Sequence, residues 1–286
     1  MKRYEVLQWA FSFLKEHSRE EKVAEILLQH ITGETSAMFL ANLREEIDEE
    51  IKAKFTDLVK QHALTGVPVQ HLIGTAPFYG RDFYVNKHVL IPRFETEEVV
   101  LHTIEQINKL EKTVPLTVAD LGTGSGVIAI TLALELQNVN VIATDISEQA
   151  LQMAKKNAEK HHADVTFLLG DFLTPLIEAN INPHFIVSNP PYIAYNERHL
   201  LSDTVEKYDP EIALFAERDG LAAYETIIEQ MKQLPKLEER HVIFEIGYQQ
   251  GEAVANIMKQ AFPQSKVSIL QDLNGKDRIV SARIFQ

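Results

Sequence analysis

The sequence contains no cysteine, which excludes disulfides, thiolate metal sites and thiol nucleophiles and fits a reducing compartment. It also has no run of about 18 apolar residues, so no stretch reads as a membrane-spanning helix. An apolar patch from Val6 to Leu14 follows Lys2 and Arg3, but Gln8 interrupts it and no small-residue cleavage site follows Lys15 and Glu16. An amphipathic helix is expected there, not a secretion signal. Basic residues are in deficit, 28 against 41 acidic ones, for a net charge of −13. No basic face of the kind that grips a nucleic-acid backbone is visible, and the balance favours a protein or small-molecule substrate. The eleven histidines show no ligand spacing. No metal is expected, and the cytoplasm is the expected location.

What is present suffices for two domains: 286 residues, of which 45% are hydrophobic. Residues 1 to about 66 read as helices. Val6, Trp9 and Phe13 recur at helical spacing, Ser18 with Glu21 reads as a capping box ahead of Val23, and Asp48 reads as the cap of a helix stopped by Gly66. From about 67 to 94 the chain turns aromatic and β-branched around Gly80 and Asn86, which predicts a β-hairpin connector. A helix is predicted from Glu97 to Lys112. Beyond it strands and helices alternate: strands at 117–121, 141–145, 165–169, 185–188 and 242–247, with helices between them. A final hairpin turns at Asn274-Gly275. The alternation predicts an α/β doubly wound, mainly parallel sheet with an antiparallel last strand. The expected boundaries are 1–75 for a helical substrate-recognition domain, 76–94 for the hairpin linker and 95–286 for the α/β domain.

The stretch "DLGTGSG", residues 120–126, ends a predicted strand and opens a helix. Gly122, Gly124 and Gly126 permit a tight turn and close backbone approach to a ligand. Asp145 ends the next strand, where a carboxylate can accept both hydroxyls of an adenosine ribose. A dinucleotide fingerprint needs glycine at the sixth position from Gly122, and Val127 stands there. The spacing instead resembles the first motif of class I methyltransferases, which bind S-adenosylmethionine. In that class Asp171-Phe172 would lie over the adenine. Without the resemblance, the loop also reads as a plain strand–helix turn.

"SNPPY", residues 188–192, closes the 185–188 strand. Pro190 restricts Asn189 to extended backbone and Pro191 does the same to Pro190. The Asn189 side-chain oxygen and the Pro190 carbonyl thus become two fixed acceptors, which is what a planar –NH2 group requires. Tyr192 offers an aromatic face to a flat group. A rigid loop with no further role is the alternative.

Taken with "VQHLIG" (69–74), "VLIPRFETE" (89–97), "YDPEIAL" (208–214), "EIGYQQG" (245–251) and "DLNGKDR" (272–278), these motifs resemble the release factor glutamine methyltransferase (PrmC/HemK) family along essentially the whole chain. The resemblance implies S-adenosyl-L-methionine as cofactor, S-adenosyl-L-homocysteine as product, and class-one peptide chain release factors as protein substrate, with no direct nucleic-acid binding. It assigns Gly122, Thr123, Gly124, Ser125, Gly126, Asp145, Phe172 and Asn189 to the cofactor. Asn189, Pro190, Pro191 and Tyr192 fall to the substrate glutamine, with Asn189 and Pro190 as the catalytic pair. "LIPRFETE" reads as a helix start and, by resemblance, as part of the site wall. The chain departs from the family at Phe94, where proline is usual, and at Ala216-Glu217-Arg218, where a glycine-rich segment is usual. Phe172 stands where tryptophan is frequent. A ribosomal-protein glutamine methyltransferase, an adenine amino-methyltransferase acting on DNA and a nucleotide-sensing protein with a vestigial site remain as alternatives.

Overall fold

The computed structural model describes residues 1–110 and 115–285. They divide into two compact units: Met1–Thr75 with Ser202–Tyr208, and Ala76–Leu201 with Asp209–Gln286. The predicted helix end at Lys112 lies outside the described residues. Among the described residues no helix is long and apolar enough to cross a membrane.

The first unit is helical, with helices Arg3–Glu16, Lys22–Thr32, Ser36–Ala41, Glu49–Thr65 and Val69–Ile73. Leu14, Leu27, Leu28, Phe55 and Val59 are fully buried at its centre. Asp48 Oδ1 accepts the backbone N–H groups of Glu50 and Ile51, and Gly66 ends that helix at φ 78°, both as read from the sequence. Ser18 behaves differently. It does not cap the second helix, whose N-cap is Glu21 with no side-chain bond. Instead it closes the first helix at φ 56°: its N–H donates to the Lys15 carbonyl and the Arg19 N–H to that of Leu14. This is a Schellman closure with serine in the left-handed position, so Ser18 ends one helix and is too far back to start the next. Arg19 then reaches both oxygens of Asp203, at 2.7 and 2.8 Å, and tethers 202–208 within this unit. That guanidinium holds the Asp203 carboxyl well below the usual carboxylate range.

From Ala76 onward the second unit carries the expected hairpin, β1 (Thr75–Phe78, its first residue still in the helical unit) and β2 (Arg81–Tyr84). The main strands are β3 (Leu116–Leu121), β4 (Val139–Asp145), β5 (Val165–Leu169) and β6 (Phe185–Ser188). A short pair, β7 (Ile193–Ala194) and β8 (Phe215–Ala216), stands apart from these, and β9 (Arg240–Glu245), β10 (Lys266–Gln271) and β11 (Asp277–Ile284) follow. Seven of them form one sheet in the order β10-β11-β9-β6-β3-β4-β5. Only β11 runs against its neighbours. Apolar side chains alternate between the faces. Val118, Phe185, Val187 and Ile243 join one core cluster, while Ala119, Ile186, Val242 and Phe244 join the other. Helices Phe94–Asn108 and Val127–Glu135 cover the first face and Ala222–Met231 and Gly251–Ala261 the second. A strand buried on both sides reads as a continuous apolar run, which is why period-2 polarity is missing from these segments.

Replacing Ser18 with glycine removes a Cβ from a left-handed position and is expected to stabilise the protein by about 0.5–1 kcal/mol. Urea unfolding of Ser18→Gly beside the wild type measures this, and an unchanged or lower midpoint would contradict the closure described.

Candidate functional site

The chain passes from β3 outward to β4 and β5, then returns to β6 on the other side of β3. Ligands of open α/β sheets settle at such a reversal, beyond the carboxyl ends of the strands. Here Leu121 pairs with both Thr144 and Ser188, so β3, β4 and β6 end level. Ser188 Oγ donates to the Leu121 carbonyl at 2.6 Å and fixes that alignment. A cavity of about 340 Å³ opens there, bordered by Gly122, Thr123, Gly124, Ser125, Asp145, Phe172, Asn189 and Pro191, among others. Gly126, Pro190 and Tyr192 are not in its lining.

The glycine loop is bound down from two sides. Asp145 Oδ2 accepts the Gly124 N–H at 2.8 Å and its Oδ1 accepts the Ser147 N–H at 2.9 Å. A carboxylate offers about four acceptor sites, so capacity remains beside these bonds for a ligand hydroxyl. Burial is the main cause that pushes the Asp145 carboxyl up. Beneath the loop, the fully buried Asp120 accepts from Thr123 Oγ1 at 2.6 Å and from the Ala129 N–H at 3.1 Å. Desolvation moves its pKa up to about 7. Asp120 therefore shapes the turn, while Asp145 stands at the cavity. A Cβ on Gly124 would meet nothing within 4 Å, and one on Gly122 only Phe172 Cε1 at 3.9 Å, so bare backbone faces the open space. Bare backbone, a carboxylate at the end of the second strand and an aromatic ring beside them suit an adenosine-type cofactor.

Gly126 has a different task. Its φ is 84°, and a Cβ there would come within 3.0 Å of Ala154 Cβ and 3.2 Å of Ala154 Cα. It lets the helix that starts at Val127 pack close to helix Glu148–His161.

Asn189 is held by its nitrogen: Nδ2 donates to Thr96 Oγ1 at 3.2 Å. No donor among the described residues takes its Oδ1. Pro190 is buried. Tyr192 does not face the cavity. Its ring packs against the second core cluster, where burial and the nearby Glu245 push its hydroxyl pKa up. Gln250 Nε2 donates to the Tyr192 carbonyl at 2.9 Å and pins the backbone after the prolines.

Pro92, Arg93 and Thr96, from the "LIPRFETE" stretch read as a helix start and, by resemblance, as site wall, line the cavity. Arg93 Nη2 lies 2.8 Å from Asp209 Oδ2, whose side chain is almost wholly buried. Gln250 and Glu245 come from "EIGYQQG", a motif visible in the sequence but without any spacing that reveals its partners. Both departures have a local reading. Phe94 is the first residue of its helix, the position where proline costs nothing, and its ring is exposed. Of Ala216-Glu217-Arg218 only Arg218 has a positive φ, at 56°, followed by Asp219 at 54° and Gly220 at 81°, so glycine suits the end of this stretch.

A family model described as the PrmC N-terminal domain matches residues 5–74, and one described as the methyltransferase small domain matches 103–207. The chain is 47% identical to the release factor glutamine methyltransferase of Bacillus subtilis, across 99% of this chain and 98% of that one. It is 43% identical to the protein of the same name from Bacillus anthracis, across 99% and 100%. Among solved structures, the hMettl16 catalytic domain in complex with a MAT2A 3'UTR hairpin superposes with a TM-score of 0.54 at 18% identity, covering 86% of this chain and 84% of that one. That last likeness is one of fold.

Gly126→Ala is expected to cost about 2 kcal/mol or more, from left-handed strain plus overpacking against Ala154. Gly124→Ala should cost only the strain, about 1–2 kcal/mol. Denaturant unfolding of the two variants ranks them, and an equal or reversed order would refute the division of labour within the loop.

Proposed function

The chain belongs to the release factor glutamine methyltransferase family, and from that premise we propose that it transfers a methyl group from S-adenosyl-L-methionine to the side-chain amide nitrogen of the glutamine in the Gly-Gly-Gln motif of class-one peptide chain release factors, in the cytoplasm. The observation that carries the reading is Asn189, which lines the cavity at the strand reversal beside the glycine loop with its amide nitrogen already engaged by Thr96.

The backbone of Gly122 to Ser125 supports the cofactor, Asp145 accepts its ribose hydroxyls, and Phe172 stacks on its adenine. Bound there, the cofactor supplies an electrophilic methyl group on a sulfonium. The protein's task is then to present a poor nucleophile, because the amide nitrogen's lone pair is delocalised into its carbonyl. Asn189 Oδ1 accepts one N–H of the substrate amide and the Pro190 carbonyl accepts the other. Pro190 and Pro191 restrict the backbone on which both acceptors ride, so little reorganisation is needed when the substrate arrives. Gripping both hydrogens aims the nitrogen at the methyl group and favours the pyramidal geometry in which its lone pair is available. Pro191 forms part of the wall. Tyr192 serves from behind, through the carbonyl that Gln250 holds. The helical unit, with its own core, is proposed to recognise the body of the release factor while the loop enters the cavity.

Incubation with a release factor and S-adenosylmethionine, followed by mass spectrometry, should show one added methyl on the Gly-Gly-Gln glutamine. In Asn189→Ala the rate should fall by about 100-fold or more. A wild-type rate in the variant would dispose of the clamp, and a methyl group on another residue would dispose of the substrate.

A further inference from the structure

Glu245 is a carboxylic acid at the end of β9 with about 1% of its surface exposed. Its Oε2 takes the Thr96 hydroxyl at 2.7 Å. Thr96 Oγ1 in turn takes Asn189 Nδ2 at 3.2 Å. A hydroxyl has one proton to give. When Glu245 is a carboxylate it can only accept, so the Thr96 proton points to Glu245. Thr96 then has only a lone pair to offer Asn189, and the amide must turn its –NH2 toward Thr96. Its oxygen is thereby left for the cavity. A carboxyl group this deeply buried is costly to keep in a core that apolar side chains could fill.

We propose that Glu245 and Thr96 are positioning residues that act as a relay, fixing which end of the Asn189 amide faces the substrate. The proposal rests on the reading of Asn189 as an acceptor for the substrate amide. The relay has two polarities. A protonated Glu245 can donate to Thr96 Oγ1, which frees the Thr96 proton for Asn189 and draws Oδ1 inward. The cavity then meets an –NH2 in place of an oxygen, and two donors confront each other. The groups around Glu245 set the balance. Burial dominates and raises the pKa to about 7; the Thr96 bond, Arg278 and Arg93 pull it down, and Glu95 pushes it up. Tyr192 and Tyr224 are the other titratable groups facing it, and Tyr224 donates its hydroxyl proton to the Glu245 backbone carbonyl at 2.8 Å. Since the carboxylate is the productive form, turnover should rise as pH climbs through about 7.

The test compares the full-length wild type with Thr96→Val, Thr96→Ser and Glu245→Gln. The first readout needs no turnover: the Asn189 side-chain amide resonances of selectively labelled protein, followed from pH 5.5 to 9. They should titrate with a midpoint near 7 in the wild type and stay flat in Glu245→Gln. The second is methylation of a release factor by the same proteins. At pH 8, kcat should fall by about tenfold or more in Thr96→Val, which has no hydroxyl to relay, with KM and cofactor Kd within about twofold. Glu245→Gln, whose amide oxygen can still accept from Thr96, is read by its loss of pH dependence. Thr96→Ser should recover most of kcat, and the acidic limb of the wild-type profile should vanish in Glu245→Gln. Asn189 resonances that ignore pH, or a limb that persists in Glu245→Gln, would overturn the relay. Titrating resonances in a protein that leaves the release factor unmodified would uphold the relay and remove the proposed substrate.

Discussion

The bond from Ser188 Oγ to the Leu121 carbonyl holds the ends of β6 and β3 level, and the geometry of the cavity depends on that alignment. The glycine loop leaves β3 at one end of this bond and Asn189 leaves β6 at the other. A slip of one residue in either strand would turn each of these groups to the opposite face, because side chains alternate along a strand. Both faces of the sheet are apolar and filled, so such a slip would expose Val187 or Ile186 to the wrong cluster. The core therefore enforces the register, and the register places the chemistry.

Much of this was legible before any coordinates. Alternating apolar runs and helix starts identified the doubly wound sheet, and Asn274-Gly275 marked the hairpin that makes β11 antiparallel. Asp48 and Gly66 read as caps from residue type alone, because each acts on neighbours within a few positions. Ser18 misled for the same reason: a serine between two helices can serve either, and the choice depends on left-handed geometry that letters do not record. The short helices Val69–Ile73 and Thr174–Glu178 were missed, being too brief to show periodicity.

At the site, Gly122, Gly124, Asp145 and Asn189 stand out because each ends or follows a predicted strand, whereas Phe172 enters only through the resemblance; all five border the cavity. The partners of those residues do not stand out. Thr96 and Glu245 are separated by 149 positions and meet through a buried bond, while Gln250 reaches Tyr192 from 58 positions away. Tyr192 itself looked like a stacking platform, yet its ring is taken by the core.

The order of strands in the sheet also bears on how the chain is made. β11 lies between β9 and β10, although every other strand precedes it in synthesis. Until it emerges, Ile279, Val280, Ala282 and Ile284 are missing from the two core clusters, and β9 lacks its antiparallel neighbour. Arg278, at the start of β11, is one of the charges that temper Glu245. A nascent chain can close its early helices while still tethered, but its sheet stays open on one flank until the last strand is released. Assembly of the sheet therefore waits on β11: without it the strands that border the cavity are present, but neither core beneath them is complete.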